Sequence, residues 1–410
     1  MTNIKIFQIN TNKDTGGAAQ IASRLNDYLN ELEEVSSEYF FGRRGGRKKG
    51  GDNKFGLISE KYLHAAITRT TGLHGYGSYF STKKLIRLIN KKKPDIVHLH
   101  NVHGYYLNLR FIEFIKQTEI PVVWTFHDAW PITGSCGYFF QCQKWKRGCG
   151  HCPDKYRYPK SYVDASAFMW KKKKQVFSEG WNPLIVTPSQ WLADRVNESF
   201  LKDHKVKVIP NGIDTEKFKP RPKEEIRDSL GIPQDKKVVL FVAADLQNER
   251  KGAKYFFESL PDVNADDWMA VTMGEEVDID SVVGEAGVEI KQLGYLSDRS
   301  EVARAYNIAD LFVITALQDN LPTTVNESLA SGTPVVGFRA GGIPEQVKGN
   351  TGTLVEKKDT VALAKAITEL LNDNEKRRTF SENCRKRALK EYSIPKFRDR
   401  YLEVYRDVIN

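Results

Sequence analysis

The chain has 410 residues, 40% apolar and 11% aromatic, and 62 Lys and Arg against 52 Asp and Glu give it a formal charge of +10. This length suits two domains rather than one core, and the apolar content excludes a disordered chain. No apolar run is long enough to cross a bilayer, and no RNA-binding aromatic signature, zinc-finger spacing or basic-region heptad makes nucleic acid an expected partner.

The first residues enter a strand at once, with no signal-peptide pattern, so a cytoplasmic location with reduced cysteines is expected. Strand 4–9 runs into Asn10-Thr11-Asn12-Lys13-Asp14-Thr15-Gly16-Gly17 and a helix predicted over 18–32. Gly16 and Gly17 let the backbone approach a ligand where the helix N-terminus favours negative charge, although a plain tight turn has the same signature. Three basic clusters (Arg43, Arg44, Arg47, Lys48 and Lys49; Lys91 to Lys93; Lys171 to Lys174) read singly as solvated faces. Together they could steer the protein to anionic headgroups or a diphosphate-bearing lipid.

Strand 95–100 carries His98 and His100, with Asn101 and His103 following; packing at a strand end is expected, His100 and Asn101 also being candidates for an acceptor site. Strand 122–126 delivers His127 and Asp128 to a carboxyl edge, where a histidine is often simply a structural donor and an aspartate a cap. An insert over 128–160 then crowds Cys136, Cys142, Cys149 and Cys152 together. A structural zinc is one expectation for four such cysteines, but only the last two have tight chelate spacing; reduced packing thiols or one disulfide are equal alternatives.

After strand 184–187, Asn211-Gly212 and Pro220-Arg221-Pro222 read as a linker. Strands at 238–242, 269–273, 288–293, 311–315 and 335–338 alternate with helices such as 298–307 and 361–371. Short apolar runs between helices argue for parallel, doubly wound sheets with a ligand crevice at the strands' carboxyl ends. Arg250-Lys251-Gly252 follows the strand at 238–242, where cations would meet a leaving diphosphate or merely face solvent. Asp319-Asn320-Leu321-Pro322-Thr323-Thr324 leads into a helix bearing Glu327: two carboxylates flank amides suited to phosphate.

This last block, with Gly332-Thr333-Pro334 and Gly341-Gly342-Ile343-Pro344-Glu345 behind it, resembles the donor site of glycosyltransferase family 4. The resemblance is densest over 238–347 and covers most of the chain. It implies an α/β GT-B fold, two Rossmann-like doubly wound domains facing across a cleft. The expected boundaries are 1–212 for the first, rejoined by a crossover helix at 394–410, and 213–393 for the donor-binding second. Phe126-His127-Asp128-Ala129-Trp130 with Thr133-Gly134-Ser135-Cys136 is similar to a subgroup that assembles bacterial polysaccharides.

By the same resemblance, Gly16 and Gly17 reach the donor diphosphate and His127 lies near the donor sugar. Lys251 and Arg250 neutralise the leaving group, Arg250 standing in for an arginine usual where this chain has Asp245. Tyr295 and Leu296 lie by the nucleobase, Asp319 (a glutamate in most relatives) binds sugar hydroxyls, and Glu327 binds the ribose. Backbone amides of Asn320, Leu321, Pro322, Thr323 and Thr324 surround the diphosphate, Pro322 lacking an N–H of its own. His100, Asn101 and Asp128 fall on the acceptor side.

The expected activity is retaining transfer from a UDP- or GDP-sugar to a glycan or lipid-linked saccharide, with no metal or other cofactor in catalysis and with peripheral membrane contact. A nucleotide-sugar epimerase or phosphorylase shares this architecture, as does an inactive sugar-nucleotide binding module. Donor conversion without acceptor, dependence on inorganic phosphate, or binding without transfer would distinguish them.

Overall fold

A computed structural model describes residues 3–43, 53–278 and 287–409. Arg44, Arg47, Lys48 and Lys49 of the first basic cluster therefore lie outside the described residues. The chain folds as two compact units, Met1–Ile209 with Arg398–Asn410, and Pro210–Phe397.

The first unit is built on strands β1 (Ile4–Asn12), β2 (Val35–Arg43), β3 (Ile96–Leu99), β4 (Val122–Thr125), β5 (Leu184–Thr187) and β6 (Val206–Val208). They form one parallel sheet in the order β2-β1-β3-β4-β5-β6. Its helices are α1 (Gly17–Leu29), α2 (Ile58–Thr71), α3 (Tyr79–Lys92), α4 (Arg110–Ile115), α5 (Ser166–Ser178) and α6 (Gln190–Asn197). β3 and β4 are wholly buried, which is why they read as continuous apolar runs rather than alternating ones. α1 ends at Leu29, short of the predicted 32, because Asn30 leaves the helix to exchange hydrogen bonds of 2.8 and 2.9 Å with the Ser37 backbone.

The second unit holds β7 (Lys237–Ala243), β8 (Trp268–Gly274), β9 (Ile290–Gln292), β10 (Leu311–Ile314), β11 (Val335–Phe338) and β12 (Gly352–Val355), ordered β12-β11-β10-β7-β8-β9 and again all parallel. Its helices are α7 (Glu224–Leu230), α8 (Ala253–Ser259), α9 (Arg299–Ile308), α10 (Thr323–Ala330), α11 (Ile343–Gln346), α12 (Thr360–Asn372) and α13 (Asn374–Arg387). A last helix, α14 (Ile394–Ile409), begins in this unit and ends in the first.

Strand order reverses between β1 and β3 in the first unit and between β7 and β10 in the second. At such a switch point the connecting loops part, leaving strand carboxyl ends open to a ligand. The residues that follow β7 and β10 are therefore the first place to look for chemistry.

Candidate functional site

Beyond β7 the chain makes a single tight turn, Glu249–Lys251, and Gly252 follows with φ of 69°. A side chain at Gly252 would run into the Thr315 carbonyl, so glycine is required by both conformation and space. The Thr315 hydroxyl donates 2.7 Å to the Gly252 carbonyl, and Leu317 N–H donates 2.8 Å to that of Arg250. This clamp presents Arg250 and Lys251 to the residues after β10. Arg250 Nη1 lies 2.7 Å and Lys251 Nζ 2.9 Å from the same Asp319 oxygen, Oδ2. Oδ1 accepts 3.0 Å from Asn320 N–H. Burial alone would raise the Asp319 pKa, but Lys251 and then Arg250 outweigh it, and the carboxyl is held well below the usual range.

Gly341 and Gly342 close over the other side of Asp319: Gly342 N–H donates 3.0 Å to its carbonyl, and a Cβ at Gly341, whose φ is 58°, would collide with that oxygen. Asn320, Leu321 and Pro322 are buried and lead directly into α10, which has no side-chain cap. Val325 N–H donates 3.2 Å to the Pro322 carbonyl, which leaves the N–H groups of Thr323 and Thr324 as the orphan donors that make a helix start a phosphate site. Gln346 fixes the approach by donating 3.0 Å to the Pro322 carbonyl and 2.6 Å to Asn326 Oδ1.

Glu327, one turn into α10, is buried, with Oε1 accepting 2.7 Å from Arg299 Nη1 and Oε2 accepting 3.0 Å from the Tyr306 hydroxyl. A carboxylate offers about four lone-pair sites, so two acceptor positions remain for a diol. Arg299 also lies over the Phe218 ring at 4.5 Å. Sequence reading missed Arg299 and Tyr306, which sit on a separate helix, 28 and 21 residues from Glu327. Nothing local in the sequence ties them to it. The Gly294 turn, φ 68°, leaves Tyr295 exposed and Leu296 packed on the second core.

In the first unit, Gly16 caps α1 with φ of 89°, and neither it nor Gly17 has a neighbour within 4 Å of a would-be Cβ. That space is open to a ligand. His127 emerges just past β4, its Nε2 3.0 Å from His100 Nδ1. Burial, against the pull of Asp128, drops its pKa to about 4, so it is a neutral imidazole at ordinary pH. His100 also reaches Gln8 Oε1 at 3.0 Å, and the Asn101 carbonyl accepts from Tyr106 at 2.7 Å. Asp128 Oδ2 lies 3.0 Å from His103 Nε2 while Oδ1 accepts 2.9 Å from Trp130 N–H, so both oxygens serve the local fold. His98 is bound by Tyr405 at 2.7 Å and Thr125 at 2.8 Å, and Thr125 by Tyr401 at 2.9 Å; the two tyrosines come from α14.

The zinc expectation for Cys136, Cys142, Cys149 and Cys152 finds no support, and the alternative of reduced packing thiols describes them. Among the described residues no three His, Cys, Asp or Glu side chains converge as ligands would. The four cysteines are unbridged thiols: Cys136, Cys142 and Cys149 pack against the first core, and Cys149 Sγ accepts 3.2 Å from Gly134 N–H. Burial pushes the Cys136 thiol up to about 12 and the Cys149 thiol up to about 11. Beneath them Lys173 is fully buried, donating 2.7 Å to the Trp130 carbonyl and 3.0 Å to that of Thr133.

Comparison with known proteins follows the two units. The family description "Glycosyltransferase Family 4" matches residues 16–217 and "Glycosyl transferases group 1" matches 222–387. WcaC of Escherichia coli (strain K12), a glycosyl transferase provisionally named for colanic acid biosynthesis, is 26% identical over 383 residues, 88% of this chain and 89% of that protein. Sucrose-phosphate synthase from Thermosynechococcus elongatus superposes with a TM-score of 0.73 at 16% identity, over 98% of each chain. HepE of Anabaena, solved in complex with UDP-glucose, superposes with a TM-score of 0.67 at 16% identity, over 98% of this chain and 100% of that one. These neighbours share the GT-B fold of two parallel α/β sheets.

Proposed function

Since this chain belongs to glycosyltransferase family 4, we propose that it moves a hexosyl group from a nucleotide-sugar donor to a hydroxyl of a glycan or lipid-linked saccharide, retaining the anomeric configuration. One observation carries the donor assignment: Arg250, Lys251 and Asp319 meet where strand order reverses, beside the uncapped start of α10. Fixed cations and amide dipoles are what a departing diphosphate needs.

In the reaction the bond from anomeric carbon to diphosphate oxygen breaks and its electron pair leaves with the nucleotide, while the acceptor oxygen bonds to the same face and its hydroxyl proton passes to the departing diphosphate oxygen. Lys251 keeps donors beyond the one directed at Asp319, and these would meet the phosphate charge. Asp319 serves first by holding both cations in place, and then by gripping sugar hydroxyls. Glu327, oriented by Arg299 and Tyr306, takes the ribose, and Tyr295 and Leu296 flank the base. In the first unit, Gly16 and Gly17 are assigned to the diphosphate, His127 to the sugar, and His100, Asn101 and Asp128 to the acceptor. Because Lys251 and Arg250 supply the positive charge, the step requires no divalent metal, and a chelator should leave turnover unchanged.

Support for a UDP-sugar comes from HepE, which was solved with UDP-glucose; GDP remains the other candidate. Surface-polysaccharide assembly, with peripheral contact to a membrane, is the setting suggested by the likeness to WcaC. Calorimetric titration with UDP, GDP and ADP and their sugars tests the reading. We expect one nucleotide to bind in the micromolar range (on the order of −8 kcal/mol). Binding by none of them would overturn the reading.

A further inference from the structure

Helix α2 is inside out. Its buried positions are Glu60, His64 and Thr68, spaced four apart on one face, while Ile58, Tyr62 and Leu63 face solvent. Ile58 is 66% exposed, Tyr62 65% and Leu63 60%. Ordinary surface helices show the reverse. The polar face is not misplaced, since Glu60 and His64 are both committed to hydrogen bonds. Glu60 accepts 2.7 Å bonds from the N–H groups of Phe80 and Ser81, capping α3, and His64 bridges the Ser78 hydroxyl and Gly75 N–H, each at 2.9 Å. That cap ties the start of α3 to α2 and leaves Phe80 65% exposed at the start of α3.

Charge decides what covers this face. From Lys54 to Pro94 the sequence holds nine lysines and arginines and one acid, Glu60, which is buried and consumed by the α3 cap. Lys61 lies over the Tyr62 ring at 5.1 Å, and Lys83 and Arg110 lie over Tyr79 at 5.7 and 5.5 Å. Burial lowers the Lys61 pKa, and Arg43 and Lys54 nearby lower it further, a mark of how densely the cations crowd. Aliphatic and tyrosine side chains rimmed by lysine, with no exposed acid between Lys54 and Pro94, match a bilayer interface: apolar groups enter the acyl boundary, aromatic rings sit at headgroup level, and cations meet anionic lipid. A protein partner would instead favour an interface core depleted of lysine.

We propose that α2 and the start of α3 form a monotopic docking surface for an anionic lipid bilayer, with Ile58, Tyr62, Leu63 and Phe80 as the inserted groups. No helix among the described residues is long and apolar enough to cross a membrane, so the contact is one of lying on the surface. It rests on these two helices and not on the donor assignment.

Flotation of the full chain with vesicles tests it, comparing phosphatidylcholine mixed with phosphatidylglycerol against phosphatidylcholine alone. Wild type should float with the anionic vesicles and only weakly with the neutral ones. The triple variant I58S/Y62S/L63Q should lower the bound fraction about tenfold, and K61E/K83E/K84E should remove the preference for anionic lipid. All three substituted apolar positions are exposed, so melting and nucleotide binding should stay as in wild type. Absence of wild-type flotation, or undiminished flotation of I58S/Y62S/L63Q, overturns the proposal. So does a concentration-dependent dimer that this variant abolishes, which would make a second copy the occupant. Failure of every nucleotide to bind would instead sink the donor reading and leave this result standing.

Discussion

Lys251, Asp319 and Glu327 carry three different burdens, and their variants should separate them. Lys251→Ala removes a cation from the leaving group, so turnover should fall by about a hundredfold or more, with donor affinity falling less. Glu327→Ala strands the partly buried Arg299 guanidinium while removing the ribose acceptor. Nucleotide affinity should drop at least tenfold by calorimetry, together with about 2 kcal/mol of stability in denaturant titration. Affinity equal to wild type would dismiss the ribose assignment. His127→Ala should lower turnover while leaving nucleotide affinity within about twofold, measured on the same samples. Asp319, Glu327 and Lys251 could be picked out of the sequence because their spacing along the chain is short and motif-like. Arg299 and Tyr306 could not, because the contact that makes them matter exists only once α9 and α10 are packed side by side.

Among the elements, the turn between β7 and α8 and the turn before α11 depend on glycines with no alternative. Gly252→Ala meets both a left-handed backbone and the Thr315 carbonyl, so it should destabilise the fold by about 2 kcal/mol or more and displace Arg250 and Lys251. Loss of nucleotide binding at temperatures where the variant is still folded checks this. Buried histidines on several elements set a second expectation. Burial lowers His64 to about 4, His98 to about 3 and His127 to about 4, so the folded chain binds fewer protons than the unfolded one. Stability should therefore hold above pH near 6.5 and decline as pH falls toward 4, each histidine at about 4 accounting for about 3 kcal/mol. Denaturant midpoints that stay flat from pH 7 to pH 4.5 would contradict this. At this scale the buried parallel strands were legible as apolar runs, whereas β2, with its Ser and Glu, and the short, half-buried β6 and β12 were not. The sequence said little of α2, whose apolar residues are only weakly segregated along the helix, so periodicity does not tell which side is buried.

Across the molecule, the alternation of strands and helices made two doubly wound sheets legible, and the density of motifs put the candidate donor site in the second. Which strands neighbour one another was not legible, because register and order are fixed by packing between residues far apart. A nucleotide that binds as proposed should slow amide exchange at Gly252, Leu321, Thr323 and Thr324 in the second unit and raise the melting temperature with concentration. Equal protection spread over both sheets would point to a different locus.

The partition of the chain has a consequence for how it is made. The unit synthesised first includes residues 398–410, whose Tyr401 and Tyr405 complete the buried hydrogen bonds of Thr125 and His98. A ribosome adding roughly 5 to 20 residues per second needs on the order of ten to forty seconds to cross the intervening stretch. Through that interval the nascent sheet waits with His98 Nδ1 lacking its tyrosine, dependent on a segment still inside the exit tunnel or not yet translated.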